Sequence, residues 1–193
     1  MNHLIVYGHP NPKSFNRAIV DTLKAALEEK EHEVRLRDLC ALKFNPNLSQ
    51  LEMENIEKNL IPVDVQTEHE HIKWANVITF VFPIWWGGPP AILKGYLDRV
   101  LSKNFAYTES EGGSKGLLTD KKVFTINTID APQEVYEKEE LFKSMNLIWD
   151  KITLLFAGIQ PLGHKYFSFV SGSSDEQRKA MLEEVKKLAN ELK

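Results

Sequence analysis

Phe80-Val81-Phe82-Pro83-Ile84-Trp85-Trp86-Gly87-Gly88-Pro89-Pro90-Ala91-Ile92-Leu93-Lys94-Gly95 reads as a buried strand that runs into two tryptophans, a Gly-Gly-Pro-Pro corner and a helix. Two of the four tryptophans of the chain thus stand side by side at a strand's carboxyl end. In an open α/β sheet that edge is where ligands bind. Large apolar residues also fill cores, but the glycines and prolines beside them leave backbone accessible to something flat.

Outward from this stretch, apolar runs alternate with amphipathic patterns. Strands are expected at Leu4 to Gly8, Glu33 to Arg37, Val77 to Pro83, Lys122 to Thr128 and Lys165 to Val170. Helices are expected at Phe15 to Lys30, Gln66 to Trp74, Ala91 to Ser102, Leu141 to Phe156 and Ser174 to Lys193, the last with Asp175 and Glu176 in its first turn. Repeated βα alternation implies a mostly parallel sheet covered on both faces. Leu4-Ile5-Val6-Tyr7 and Val77 to Phe82 are the most continuously apolar, as central strands should be. The expected architecture is α/β, a doubly wound sheet of five parallel strands in order 2-1-3-4-5, with its switch point between strands one and three. Two irregular stretches interrupt it: Asn45 to Ser49, which caps an acidic helix at Gln50 to Asn59, and a long loop from Asn104 to Asp120. Long loops in a compact domain are often functional.

A chain of 193 residues, 42% hydrophobic and 26% charged, fits one domain spanning 1–193. Its start reads as a first strand and not a signal peptide, and no run approaches a membrane span, so a cytoplasmic protein is expected. The single cysteine, Cys40, leaves no internal disulfide framework or thiolate zinc cluster and reads as packing. A net charge of -3 argues against nucleic acid. Glu68-His69-Glu70-His71 looks metal-like, but histidines two apart on a helix do not face one another, so no metal is expected. His3, His32 and His164 have no partner pattern and read as surface or strand-end residues.

The loop after strand one is Gly8-His9-Pro10-Asn11-Pro12-Lys13-Ser14-Phe15-Asn16-Arg17-Ala18. A helix starting near Ser14 presents unsatisfied N–H groups and a positive dipole end, where phosphate binds readily. Ser14 and Asn16 add short donors, and His9 and Lys13 positive charge. The pattern is neither Gly-x-Gly-x-x-Gly nor a Walker loop. This loop and the one after strand three flank the same switch-point crevice. A phosphate at one and a planar ring against Pro83 to Gly87 then belong to one molecule, and a flavin mononucleotide has that shape. Backbone N–H groups near Ile84 to Gly87 are expected to donate to the ring.

With His9-Pro10, Ser14-Phe15-Asn16, Phe82 to Gly87, Pro90 to Gly95 and Phe105-Ala106-Tyr107-Thr108, the chain resembles the NAD(P)H:quinone oxidoreductase family of flavodoxin-like flavoproteins over nearly its whole length. That family includes bacterial enzymes and flavoproteins attached to glutathione-gated potassium efflux systems. The resemblance implies a flavodoxin-like three-layer fold and flavin contacts from His9, Ser14, Phe15 and Asn16 around the phosphate and ribityl chain. It also implies a ring wall of Pro83, Ile84, Trp85, Trp86 and Gly87, with Thr128 retained beside it. Tyr107 falls at the mouth of the substrate pocket, contributed across a dimer interface, and Tyr136 matches a tyrosine near the flavin in a catalytic role. The family's Thr-Thr-Gly-Gly is replaced by Thr128-Ile129-Asp130-Ala131, which reshapes the rim and brings in a negative charge. No histidine lies between His71 and His164 to serve as the proton partner that some members use.

The implied activity is a two-electron, ping-pong hydride transfer from NAD(P)H through flavin N5 to a quinone-like acceptor, in a homodimer. FMN is favoured over FAD because FAD-using relatives carry a longer carboxyl-terminal region, although Asn45-Pro46-Asn47-Leu48 falls where some relatives support an adenosine half. The alternative is a regulatory flavoprotein subunit docked on a membrane potassium-efflux protein. A one-electron carrier fits less well, because such carriers are strongly acidic.

Overall fold

A computed structural model of the chain describes residues 1–192. Its central sheet has the order β2-β1-β3-β6-β7, all parallel, with β1 at Asn2–Tyr7, β2 at Glu33–Asp38, β3 at Val77–Pro83, β6 at Lys122–Thr128 and β7 at Gln160–Phe167. This is the expected 2-1-3-4-5 arrangement. A separate antiparallel hairpin of β4 (Tyr107–Ser110) and β5 (Gly113–Gly116) stands outside the sheet.

The strands are apolar on both faces because helices cover both. Leu4, Val6, Ile78, Phe80 and Phe82 point to one face, beneath α3 (Val63–Trp74), α4 (Ala91–Val100) and a later helical segment that carries Trp149 and Leu154. Ile5, Tyr7, Val81 and Ile126 point to the other, beneath α1 (Phe15–Glu28) and α7 (Asp175–Leu188). Helix α1 buries Ile19, Val20, Leu23 and Leu27, a three-and-four spacing that makes one stripe. Ser14 caps its start and accepts from the Arg17 N–H; Ser174 and Gln177 form a capping box before α7. In α4 a Cβ at Gly95 would lie 2.1 Å from the Pro46 carbonyl oxygen, so only glycine lets the Asn45–Asn47 loop close on that helix.

Element boundaries differ from expectation in several places. Strand β7 begins at Gln160 and ends at Phe167, where the sequence suggested Lys165 to Val170. It is an edge strand, its first half contains Pro161 and Gly163, and its register against β6 shifts between Val123 and Phe124. The expected helix Leu141 to Phe156 is divided into α6 (Leu141–Leu147) and a π-helical segment at Ile148–Leu154, preceded by a short α5 (Gln133–Lys138). Within the π-helical segment the Leu155 N–H donates to the Asp150 carbonyl at 2.8 Å, and the wider turn brings Trp149 and Leu154, five apart, into the core together. Helix α3 starts at Val63, behind Pro62, not at Gln66. The Asn104 to Asp120 loop contains the β4–β5 hairpin, whose Gly113 takes a positive φ of 105°. The acidic helix α2 runs over Gln50–Glu57, capped by Ser49 as expected.

Candidate functional site

Three loops meet at the carboxyl ends of β1, β3 and β6. Tyr7, fully buried at the end of β1, places its hydroxyl 2.9 Å from Ser14 Oγ and so fixes the α1 N-cap. Beyond Ser14, the first-turn N–H groups of Phe15 and Asn16 have no acceptor within the helix. Asn16 is buried and donates from Nδ2 to Thr128 Oγ1 at 2.7 Å, which ties α1 to the end of β6, while its Oδ1 has no partner. Arg17 is committed to Asp21 at 2.8 Å and Asp38 at 3.3 Å.

His9 sits edge-on to Trp85, with ring centroids 5.6 Å apart. Its Nδ1 accepts the Asn11 N–H at 3.0 Å, and burial pushes its pKa below the ordinary value. The ring is therefore held neutral, a hydrogen-bond donor at Nε2 and not the positive charge suggested by the sequence. Lys13 is exposed.

After β3, Ile84 N–H donates to the Thr128 carbonyl at 2.9 Å, and Trp85 and Gly88 exchange two backbone bonds at 2.9 and 3.1 Å. Trp86 and Gly87 between them have φ of 52° and 76°, the two positive values of a type I′ turn. Glycine suits that conformation; a tryptophan there is strained. The amides of Ile84 and Trp85 are thus already engaged, which corrects the expectation that the whole stretch is free to donate; those of Trp86 and Gly87 lie at the turn's tip, outside this ladder.

His9, Ser14, Phe15, Asn16, Pro83, Ile84, Trp85 and Thr128 line one cleft of about 210 Å³, together with Ile129, Asp130, Val170 and Ser171. Four other candidates lie elsewhere. Trp86 stands fully exposed on the turn. Gly87 lines a second cavity behind it. Tyr107, at the start of β4, packs against Phe156 at 5.0 Å over a shallow apolar groove. Tyr136 on α5 packs against Phe142 at 5.1 Å. The rim is locked where Asp130 accepts the Ser171 N–H at 2.9 Å; a carboxylate held there is the structural consequence of Asp130 in place of a glycine.

Sequence reasoning missed His164. It is not a surface residue: its Nε2 lies 2.9 Å from Asp150 Oδ1 and its side chain is only 6% exposed. The pairing spans 14 positions and depends on the π-helical segment meeting β7, a juxtaposition no local pattern encodes. Glu68 and His69 are engaged in packing, the former by Arg37 and the latter through Nε2 to the Val100 carbonyl at 2.9 Å. Among the described residues no three His, Cys, Asp or Glu side chains gather as a metal site, and no helix is long and apolar enough to cross a membrane.

Comparison with known proteins agrees with this geometry. A family model described as Flavodoxin-like fold matches residues 1–190. A Haemophilus influenzae protein named as an NAD(P)H oxidoreductase is 42% identical over 95% of this chain and 91% of its own length. The NAD(P)H dehydrogenase (quinone) 1 of Cavia porcellus is 34% identical over 82% of this chain, which spans 65% of that longer protein. Among solved structures, an NAD(P)H:quinone oxidoreductase from Methanothermobacter marburgensis superposes with a TM-score of 0.88 at 28% identity, covering 98% of this chain and 97% of that one. The chain belongs to the flavodoxin-like family, among its NAD(P)H oxidoreductases.

Proposed function

We propose that the cleft between the β1 and β3 loops holds a flavin, and that the protein uses it to pass reducing equivalents from NAD(P)H to a quinone-like acceptor. The observation that carries this reading is the span of one cleft from a capped helix N-terminus at Ser14 to an aromatic wall at Trp85, with Asn16, whose Oδ1 is unpartnered, on the wall between. When bound, the flavin accepts two electrons from the nicotinamide and returns them to the acceptor. The chain's own residues position it. The N–H groups of Phe15 and Asn16 and the hydroxyl of Ser14 receive the phosphate, as helix starts do. Asn16 Oδ1 accepts from the ribityl chain. The indole of Trp85, with Pro83 and Ile84, flanks the ring, while the Trp86 and Gly87 amides donate to its edge. Neutral His9 donates from Nε2 without adding charge.

These residues would supply orientation of the bound group more than acid–base chemistry. Tyr136, on the helix that follows the Ile129–Pro132 rim, is the proposed proton-holding hydroxyl near the site, although it does not line the cleft. FMN is the proposed form, supported by the engagement of the Asn45–Asn47 loop with α4, where Asn45 O accepts from Arg99 at 2.8 Å. A homodimer is proposed from the exposed Leu147, Ile148, Ile152 and Phe156, which make an apolar surface around the Tyr107 groove. A cytoplasmic location accords with the chain's one cysteine.

Purified protein is expected to oxidise NADH or NADPH only when a benzoquinone is present, and to release a flavin whose mass identifies it. Absence of both flavin and turnover overturns the reading. Sedimentation as a monomer at working concentration overturns the dimer alone.

A further inference from the structure

On the face of the sheet beneath the π-helical segment, where a parallel sheet is expected to be apolar, two rows of side chains turn polar. Phe80 pairs in register with Thr125 and Thr125 with His164; Phe82 pairs with Asn127 and Asn127 with Tyr166. Trp149 covers both rows, 5.5 Å from Phe80 and 5.3 Å from Phe82 between ring centroids. Between the sheet and this cover lies a cavity of about 120 Å³, separate from the first cleft but sharing Ile84 with it.

Three side chains on its walls each carry a buried polar atom with no partner: Thr125 Oγ1, Trp149 Nε1 and His164 Nδ1. Thr125 is 1% exposed, Trp149 8% and the His164 side chain 6%. Each orphan is costly if nothing meets it, and the π-helical segment that brings Trp149 and Asp150 here is itself a rare conformation found frequently at functional sites. The chemistry of the three is complementary. With the His164 proton assigned to Nε2, 2.9 Å from the Asp150 carboxylate, Nδ1 is an acceptor; Trp149 Nε1 can only donate; the Thr125 hydroxyl can donate. One oxygen that gives one hydrogen and receives two satisfies all of them.

One water meets that requirement at the polar end, but the cavity has room for several, and its remaining walls are mostly apolar, with Phe82, Ile84, Pro89, Met145 and Ile148 among them. An oxygen attached to a flat apolar body fills both parts. We propose that this cavity is a binding site for the hydroxyl-bearing ring of a phenol, its O–H donating to His164 Nδ1 and its oxygen accepting from Trp149 Nε1 and the Thr125 hydroxyl.

The test is calorimetric titration of the purified protein with phenol and with toluene, which matches the ring without the oxygen, alongside the NMR signal of the Trp149 indole N–H. Phenol is expected to bind at least tenfold more tightly than toluene and to move that signal. Thr125→Val, which keeps the shape and the fold, is expected to weaken phenol about tenfold and leave toluene unchanged; Trp149→Phe and His164→Gln should do the same. Equal binding of phenol and toluene, an unmoved indole signal, or Thr125→Val equal to wild type overturns the proposal. No nicotinamide or turnover enters the assay, so a protein that binds phenol yet reduces no quinone keeps this site and loses the oxidoreductase function, and the converse result does the reverse.

Discussion

The two halves of the central sheet solve different problems. In β1 and β3 nearly every side chain is apolar and buried, from Leu4 to Tyr7 and from Val77 to Phe82, with Thr79 the polar member. In β6 and β7 one face carries Thr125, Asn127, His164 and Tyr166, two of them, Thr125 and His164, with a polar atom left unpaired. A sheet buried on both faces gains stability from the first pattern and loses it through the second. The first half therefore builds the fold and the second half supports a site, and substitutions should separate them.

The largest effect belongs to the apolar half. Ile5→Ala empties a fully buried position and should cost about 4 kcal/mol in chemical denaturation. A loss under about 1 kcal/mol would show that the central strands tolerate cavities as the outer pair does.

His3 sharpens the contrast, because it is the exception on β1. It is buried with both ring nitrogens unpaired and packs on His32 at 4.8 Å. Burial first, then the nearby His32 and amino terminus, lower its pKa from 6.5 to about 4. The unfolded chain therefore takes up this proton before the folded one does. Stability should fall as pH drops from 6.5 toward 4, by up to about 3 kcal/mol at the acid end, and be unaffected by this group above pH 7. Denaturation across that window should show the decline in wild type and a flatter profile in His3→Gln. Equal slopes would mean that the imidazole is solvated in the native state.

The smallest stability effect belongs to the polar face. Thr125→Val removes an unpaired hydroxyl without changing shape, so thermal unfolding should move by less than about 1 kcal/mol or toward greater stability. A loss above about 2 kcal/mol would mean that the hydroxyl is bonded within the fold and that the two halves do not differ as argued.

The same division explains what was readable in the chain. Continuous apolar runs fixed the positions of β1, β3 and β6, and the Ser14 cap and the Pro83–Trp85 turn fell at strand ends, so most of the cleft could be assembled from local patterns. Strand β7 was misplaced because Gln160, Pro161 and Gly163 lie at the sheet's edge, where neither periodicity nor β propensity constrains them. The run from Leu141 to Phe156 is apolar enough for one long helix; only packing of Trp149 against Phe80 and Phe82 shows that its second half widens into a π turn. The His164–Asp150 pair follows from that packing and was invisible for the same reason. At the turn, the outward placement of Trp86 follows from its positive φ, which the Trp-Trp-Gly-Gly sequence does not dictate.

The central claim is that one ligand spans the cleft from the α1 N-terminus to Trp85, anchored by its phosphate. Calorimetric titration of flavin-free protein with FMN and with riboflavin, identical except for that phosphate, addresses it directly. Charge-assisted bonds to the helix start contribute about 2–3 kcal/mol, so FMN should bind roughly 30- to 150-fold more tightly than riboflavin. Equal affinities, or no binding of either, would contradict it.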